Sequence, residues 1–371
     1  MQLGMSEQLD RAVTNLLSNC AALEPGQRLL IVAEEEGAGY YDARIGGAVA
    51  SMAAKRGFKV SLLAKPFRED VDELDPDLVA SMGSADCTIF FARLGDQMRF
   101  RDMPDGTRSV VSYTLDLEAL SSGFGTAHFH AFRDIKRAVD AMIGSAREIR
   151  VTCPRGTDFA GPGLAVSAEA KVDVGILRFP MSVFAPVSAR NFSGRAVLAG
   201  FLVGTGSRYY APYGRVLSQP GAADFERGRL TAFSGLPADV ALANAHCDDI
   251  ARRFGLDRDA VHSWHAGIHP GCAFRDPVGK NFLRWSGGAF GNPRILHFHT
   301  CGATPPGEIS WNILDPTIRI DGVAVWENGV LYPDRIPGGA AILAEYPCAA
   351  AVFAQPEQEV GISDDLPGLP A

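Results

Sequence analysis

Along the first 150 residues the apolar positions follow two alternating rhythms. Ser6 to Leu23 carries them at helical spacing, and the Pro25-Gly26 turn ends it. Arg28 to Ala33 is then a short continuous apolar run, the pattern of a strand buried on both faces. Tyr41 to Arg56 reads as a second helix stopped by Gly57, and Lys59 to Ala64 as a second strand. Cys87–Ala92, Ser109–Tyr113 and Glu148–Thr152 add strand-like runs, with a helix over Phe132–Met142. Helices alternating with buried strands predict a parallel sheet wrapped by helices, a Rossmann-like α/β domain over residues 1–155.

From about residue 160 the rhythm changes. Glycine and proline become dense, and short strand-like pieces follow one another at Ala196–Val203, Arg229–Phe233, Arg294–Phe298, Thr317–Ile320 and Val323–Trp326. One helix interrupts them, Ala238 to Phe254, closed by Gly255. Residues 156–371 are therefore expected to form a strand-rich α+β domain with long loops, where sites usually lie. The polar, acidic tail after Pro356 is expected to be loosely held.

Composition narrows the function classes. The 371 residues exceed one typical core, which agrees with two domains. A hydrophobic fraction of 47% with 21% charged residues is that of a globular chain. Lys+Arg 35 against Asp+Glu 43 gives a net charge of −8 without a basic cluster, so no nucleic-acid partner is expected. No apolar run approaches the ~20 residues of a membrane span, so no membrane partner is expected either. Seven scattered cysteines without a CxxC pair read as reduced thiols, and the cytoplasm is the expected location. Gly37-Ala38-Gly39 follows the first strand but lacks the third glycine of a dinucleotide fingerprint. It also sits beside Glu34, Glu35 and Glu36, so a plain strand-to-helix turn is expected and no nucleotide cofactor.

The candidate chemistry lies in the histidines. Six of the eight fall between residues 246 and 299. One cluster is His262-Ser-Trp-His265-Ala-Gly-Ile-His269, the other His297-Phe-His299, followed by Pro305-Pro306-Gly307-Glu308. Imidazole is the usual ligand of catalytic transition metals. On a strand, residues two apart face one side, so His297 and His299 point together. The Pro-Pro-Gly turn is placed to return Glu308 to them, which would complete two histidines and a carboxylate, the facial set of a non-haem Fe(II) site. A structural role for these histidines is the competing reading. Tyr209, Tyr210 and Tyr213 are weaker candidates, either for a ring-binding wall or for plain packing.

The motifs Gly156-Thr-Asp158-Phe, the glycine-rich strands 194–216, Gly291-Asn292 and Ile320-Asp321-Gly322 resemble the 2,5-dihydroxypyridine 5,6-dioxygenases, relatives of the aminopeptidase T type of metallo-aminopeptidase. The resemblance covers most of the chain from about residue 150. It implies a homo-oligomeric, mononuclear iron enzyme of aromatic compound catabolism that opens an N-heteroaromatic ring with O2. It also implies a ligand in a His-x-Gly segment before proline, which His265-Ala-Gly267 with Pro270 fits best, His262 and His269 being rivals. The family's second pair, His-x-Asp, is missing. Its place falls on Glu308 and Ser310 or on Ser310 and Asn312, depending on register, and His297 and His299 are available as replacements. The expected metal ligands are His265, His299 and Glu308, with His269 and His297 beside them for acid–base work. The expected cofactor is Fe(II), or another divalent metal such as zinc or manganese. The expected function is ring-cleaving dioxygenation of a small aromatic or N-heteroaromatic substrate, the alternative being metal-dependent hydrolysis of an amide, lactam or peptide bond.

Overall fold

The computed structural model describes residues 4–37, 39–69, 75–99, 108–163, 176–205 and 210–362. The chain divides into two compact units, residues 1–133 with 171–181, and residues 134–170 with 182–371. The architecture is the expected one, a parallel-sheet α/β unit and a second unit built mainly of antiparallel strands.

In the first unit Arg28–Glu34, Lys59–Lys65, Cys87–Phe91, Ser109–Ser112 and Leu177–Phe179 form one sheet, every neighbouring pair parallel. Lys59–Lys65 lies at one edge beside Arg28–Glu34. Cys87–Phe91, Ser109–Ser112 and Leu177–Phe179 continue in turn on the other side. The apolar runs fill the interior. Leu29 to Val32 and Ile89 to Phe91 are all at most 3% exposed. Helix Arg44–Lys55 packs Ile45, Val49 and Ala53 inward, and Gly46 leaves room where a Cβ would stand 2.8 Å from that of Ala33. Gly37 and Gly39 take positive φ in the turn after the first strand, and Ala38 lies outside the described residues.

Ile149–Thr152, expected to end the first domain, instead pairs antiparallel with Asp158–Gly161 and Thr317–Ile320 in the second unit. Its pattern explains this. Ile149 and Val151 are buried while Arg150 is exposed and ion-paired to Asp158, which suits a strand with one wet face and not the doubly covered interior of a parallel sheet.

The second unit contains a six-stranded and an eight-stranded sheet. Ala196–Val203, expected as one strand, is two. Ser193–Val197 joins the larger sheet and Phe201–Gly204 the smaller, with Gly200 at φ +98° between them. The smaller sheet runs Gly214–Val216, Phe201–Gly204, Glu308–Leu314, Ile295–Cys301, Val261–Ala266, Val187–Ser188. One of its faces sends Trp264, Phe298 and Trp311 against Phe159, Phe192 and Phe225 of the larger sheet, with ring centroids 5.1–6.3 Å apart. The other face is covered by Phe274, Trp285, Ala289, Val360 and Ile362, packed on Phe201, Val203 and Leu314.

The segment after Pro356 departs from expectation. Glu359 accepts from Phe274 N, Val360 from Trp285 Nε1, Gly361 from Val278 N and Gln358 from Arg294, with Val360 1% exposed. Two apolar side chains flanking a glycine thus seal a core, and composition alone did not reveal it. Residues 363–371 lie outside the described residues. Ending the chain after Pro356 removes Val360, Ile362 and these bonds, at a cost of about 3 kcal/mol or more. Urea denaturation is expected to show a lower midpoint by that amount. An unchanged midpoint would show that the segment contributes nothing to the core.

Candidate metal centre

Three strands build the site. In the pairing of Val261–Ala266 with Ile295–Cys301, His265 lies opposite His297 and Ser263 opposite His299. In the pairing of Ile295–Cys301 with Glu308–Leu314, Asn312 lies opposite His297 and Glu308 opposite Cys301. The period of two then puts His265, His297, His299, Glu308, Ser310 and Asn312 on one face, with the aromatic core behind. The last strand shows the division within itself. Glu308, Ser310 and Asn312 alternate with Ile309, Trp311 and Ile313, and all seven residues are buried. The turn before it depends on Gly307, at φ +99°, where a Cβ would stand 2.4 Å from Leu256 Cδ1.

His265, His297 and His299 each offer a ring nitrogen to one point, all within 4.8 Å of one another. His265 Nε2 is 2.7 Å from His297 Nε2 and 3.3 Å from His299 Nε2. The outer nitrogens set the tautomers. His265 Nδ1 lies 3.0 Å from the Phe184 carbonyl, which only accepts, so Nδ1 carries the proton. His299 Nδ1 donates to Glu308 Oε1 at 3.1 Å. Glu308 in turn accepts from the Thr205 hydroxyl on Oε2, and its backbone carbonyl accepts from Tyr210 at 2.8 Å. His265 Nε2 is thereby left as an acceptor, and the Nε2 atoms of His297 and His299 converge on it at 2.7 and 3.3 Å. A cation among the three nitrogens can take up their lone pairs in place of these contacts. Two nitrogens bound tetrahedrally at 2.0–2.1 Å to one ion stand about 3.3 Å apart, the spacing found here. His297 Nε2, at hydrogen-bond distance, must open by roughly half an ångström to join them. His297 Nδ1 is buried without a hydrogen-bond partner among the described residues.

Burial, then the neighbouring His265 and His299, holds His297 well below the usual histidine range, so it stays neutral. Phe290 stacks on its ring at 3.9 Å, and Phe184 meets His265 edge-on. His299 is the more open member, its side chain 16% exposed.

Of the residues singled out from the sequence, His265, His297 and His299 come together. Glu308 is buried beside them and touches the group through His299. His269 stands outside the cluster. It is fully buried, and its Nδ1 accepts from Gly271 N at 3.2 Å within its own turn. Burial pushes its pKa down to about 3. His262 bonds the Cys301 carbonyl at the hairpin end. Tyr210 braces Glu308, Tyr213 bonds Ser286, and Tyr209 lies outside the described residues. Thr205 and the Phe184 carbonyl had no sequence signal, because their roles exist only through the register of distant strands.

No family model matches the chain, and no curated protein matches it in sequence. Solved structures do match. The 2,5-dihydroxypyridine dioxygenase of Pseudomonas putida KT2440 superposes with a TM-score of 0.55 at 15% identity, over 89% of this chain and 98% of that one. AmpT from Thermus thermophilus gives a TM-score of 0.45 at 10% identity, over 85% and 95%. The resemblance read from the glycine motifs thus extends to the fold of nearly the whole chain. Among the described residues no helix is long and apolar enough to cross a membrane.

The Glu308 contact makes its own prediction. A carboxylate on the outer nitrogen of a ligating histidine fixes ring orientation and raises basicity, and losing it typically costs 10–100-fold in metal affinity. Zinc titration of the metal-stripped protein is expected to show that loss for Glu308→Ala, and a smaller one for Thr205→Val. Abolition of binding by Glu308→Ala would instead make Glu308 a direct ligand.

Proposed function

We propose that the chain is a divalent-metal enzyme whose ion is held by His265, His297 and His299. Its proposed reaction is dioxygenase-like cleavage of a small aromatic or N-heteroaromatic ring, with Fe(II) as the ion. The observation that carries the metal reading is the convergence of the ring nitrogens of His265, His297 and His299 within 4.8 Å of one another, two of the rings fixed by a partner on the outer nitrogen. The ring-cleaving reading draws on the dioxygenase fold match and on the aromatic surroundings of the cluster. When bound, the ion would hold substrate and O2 side by side, both oxygen atoms entering the product, so that no outside reductant is needed. The chain's own residues do the rest. Phe184 and Glu308 orient two imidazoles, Phe290 and the packed strands keep water from His297, and His299 marks the open side. A homo-oligomer of this chain acting on a small molecule is part of the same proposal.

Metal-dependent hydrolysis is the second reading, favoured by one feature. Three neutral imidazoles leave the ion's double charge uncompensated, as in catalytic zinc sites that activate water. Metal analysis of the purified protein and turnover of 2,5-dihydroxypyridine with and without O2 separate the two. The dioxygenase reading predicts iron, O2 uptake in step with loss of the ring absorbance, and no turnover without O2. Zinc or manganese with O2-independent cleavage of an amide bond would replace it with the hydrolase. His299→Ala is expected to abolish both metal binding and turnover in either case, and intact metal binding in that variant would remove the proposed centre. Light scattering tests the oligomer, which must exceed the 39.6 kDa of one chain.

A further inference from the structure

The first unit holds a cleft of about 440 Å³ that the metal chemistry does not use. It opens at the carboxyl ends of the parallel strands, where Glu34 and Lys65 end theirs and Ala92 follows Phe91. The strand order reverses here. The chain leaves Arg28–Glu34 for Lys59–Lys65 on one side, then crosses to Cys87–Phe91 on the other. In open parallel sheets that reversal leaves a crevice between strand ends, the usual place for a ligand. The volume lies within the range of small-molecule sites.

Its lining defines what fits. Glu34 is held bidentate by Arg93, Nε to Oε1 at 2.7 Å and Nη2 to Oε2 at 2.9 Å, both side chains at most 5% exposed. Such a pair costs desolvation that its attraction barely recovers, so it adds little stability. What it does fix is the wall, because the Arg93 guanidinium lies 3.5 Å over the Phe67 ring. Lys65 is neutralised by Asp75. Pro66, Pro76, Leu78 and Leu94 supply the rest of a stiff apolar wall. With those pairs cancelled, Arg68 is the remaining cationic residue of the described lining; it is exposed, and its guanidinium has no hydrogen bond or ion pair among the described residues. Phosphate finds no helix N-terminus to cradle it among the described lining residues. The N-terminus of helix Pro76–Ser84 is already capped by Asp75, which accepts from Asp77 N at 2.9 Å.

We propose that this cleft is a second ligand site, distinct in its residues from the histidine cluster, that binds a small aromatic monocarboxylate. The ring lies against Phe67, Pro76 and Leu94, and the carboxylate pairs with Arg68. The arrangement matches one charge on a flat, rigid, apolar body.

Calorimetric titration of the full chain after metal removal tests the proposal independently of the metal centre, with benzoate as the probe and benzyl alcohol as its uncharged counterpart. Saturable benzoate binding is expected, at least tenfold tighter than that of the alcohol. Arg68→Ala should weaken it tenfold or more, and Leu94→Trp, which fills the cleft, should abolish it, with both variants melting as the parent does. His299→Ala should bind benzoate unchanged. Equal binding of the two probes, no loss in Arg68→Ala, or no saturable binding at millimolar benzoate would overturn the proposal. Loss of binding in His299→Ala alone would place the benzoate at the histidine cluster and also overturn it. Tighter binding of adenosine monophosphate than of benzoate would make the cleft a nucleotide site instead.

Discussion

Three imidazole nitrogens converge within 4.8 Å of one another, and the surrounding structure is arranged to keep them there. A free imidazole turns about its side-chain torsions. His265 cannot, because its Nδ1 is tied to the Phe184 carbonyl. His299 cannot, because Glu308 holds its Nδ1 and is itself held at three points, by His299, Thr205 and Tyr210. Ligand groups held this way from behind are pre-positioned, as a metal site requires.

The pre-positioning comes from the sheet. A one-residue slip between Ile295–Cys301 and Glu308–Leu314 would turn His297 and His299 toward the aromatic core and Phe298 toward the site. The register is held by the ring packing of Trp264, Phe298 and Trp311 behind, each 1% exposed or less. In front it is held by Phe201, Val203 and Trp285, with Trp285 bonded to the Val360 carbonyl. The apolar packing therefore does more than stabilise the second unit. It fixes which way three polar side chains point.

How much of this was legible in the sequence depended on periodicity. The parallel strands Arg28–Glu34 and Cys87–Phe91 are unbroken apolar runs and the helix Pro237–Phe254 ends on a left-handed Gly255, so each could be read directly. The parity of His297 and His299 was equally plain. Glu308–Leu314 is not among the expected strands, although its strict polar–apolar alternation is the strand signal. That alternation usually means one wet face, whereas here the polar face lines the site. The run Glu148–Thr152 carries a strand pattern, but a run this short does not say which sheet it joins. Glu308 was placed near the histidines by the Pro-Pro-Gly turn. Its attachment to the outer nitrogen of His299 followed only from the cross-strand geometry.

The most direct test of the account is the tautomer of each histidine, read by nitrogen-15 NMR on selectively labelled protein without metal and then with zinc. The account predicts a proton on Nδ1 and a bare Nε2 at both His265 and His299 in the metal-free protein. It also predicts that zinc shifts the Nε2 resonances of His265, His297 and His299 together. A proton on Nε2 of His265 or His299 in the metal-free protein, or zinc that leaves one of the three unshifted, would contradict it.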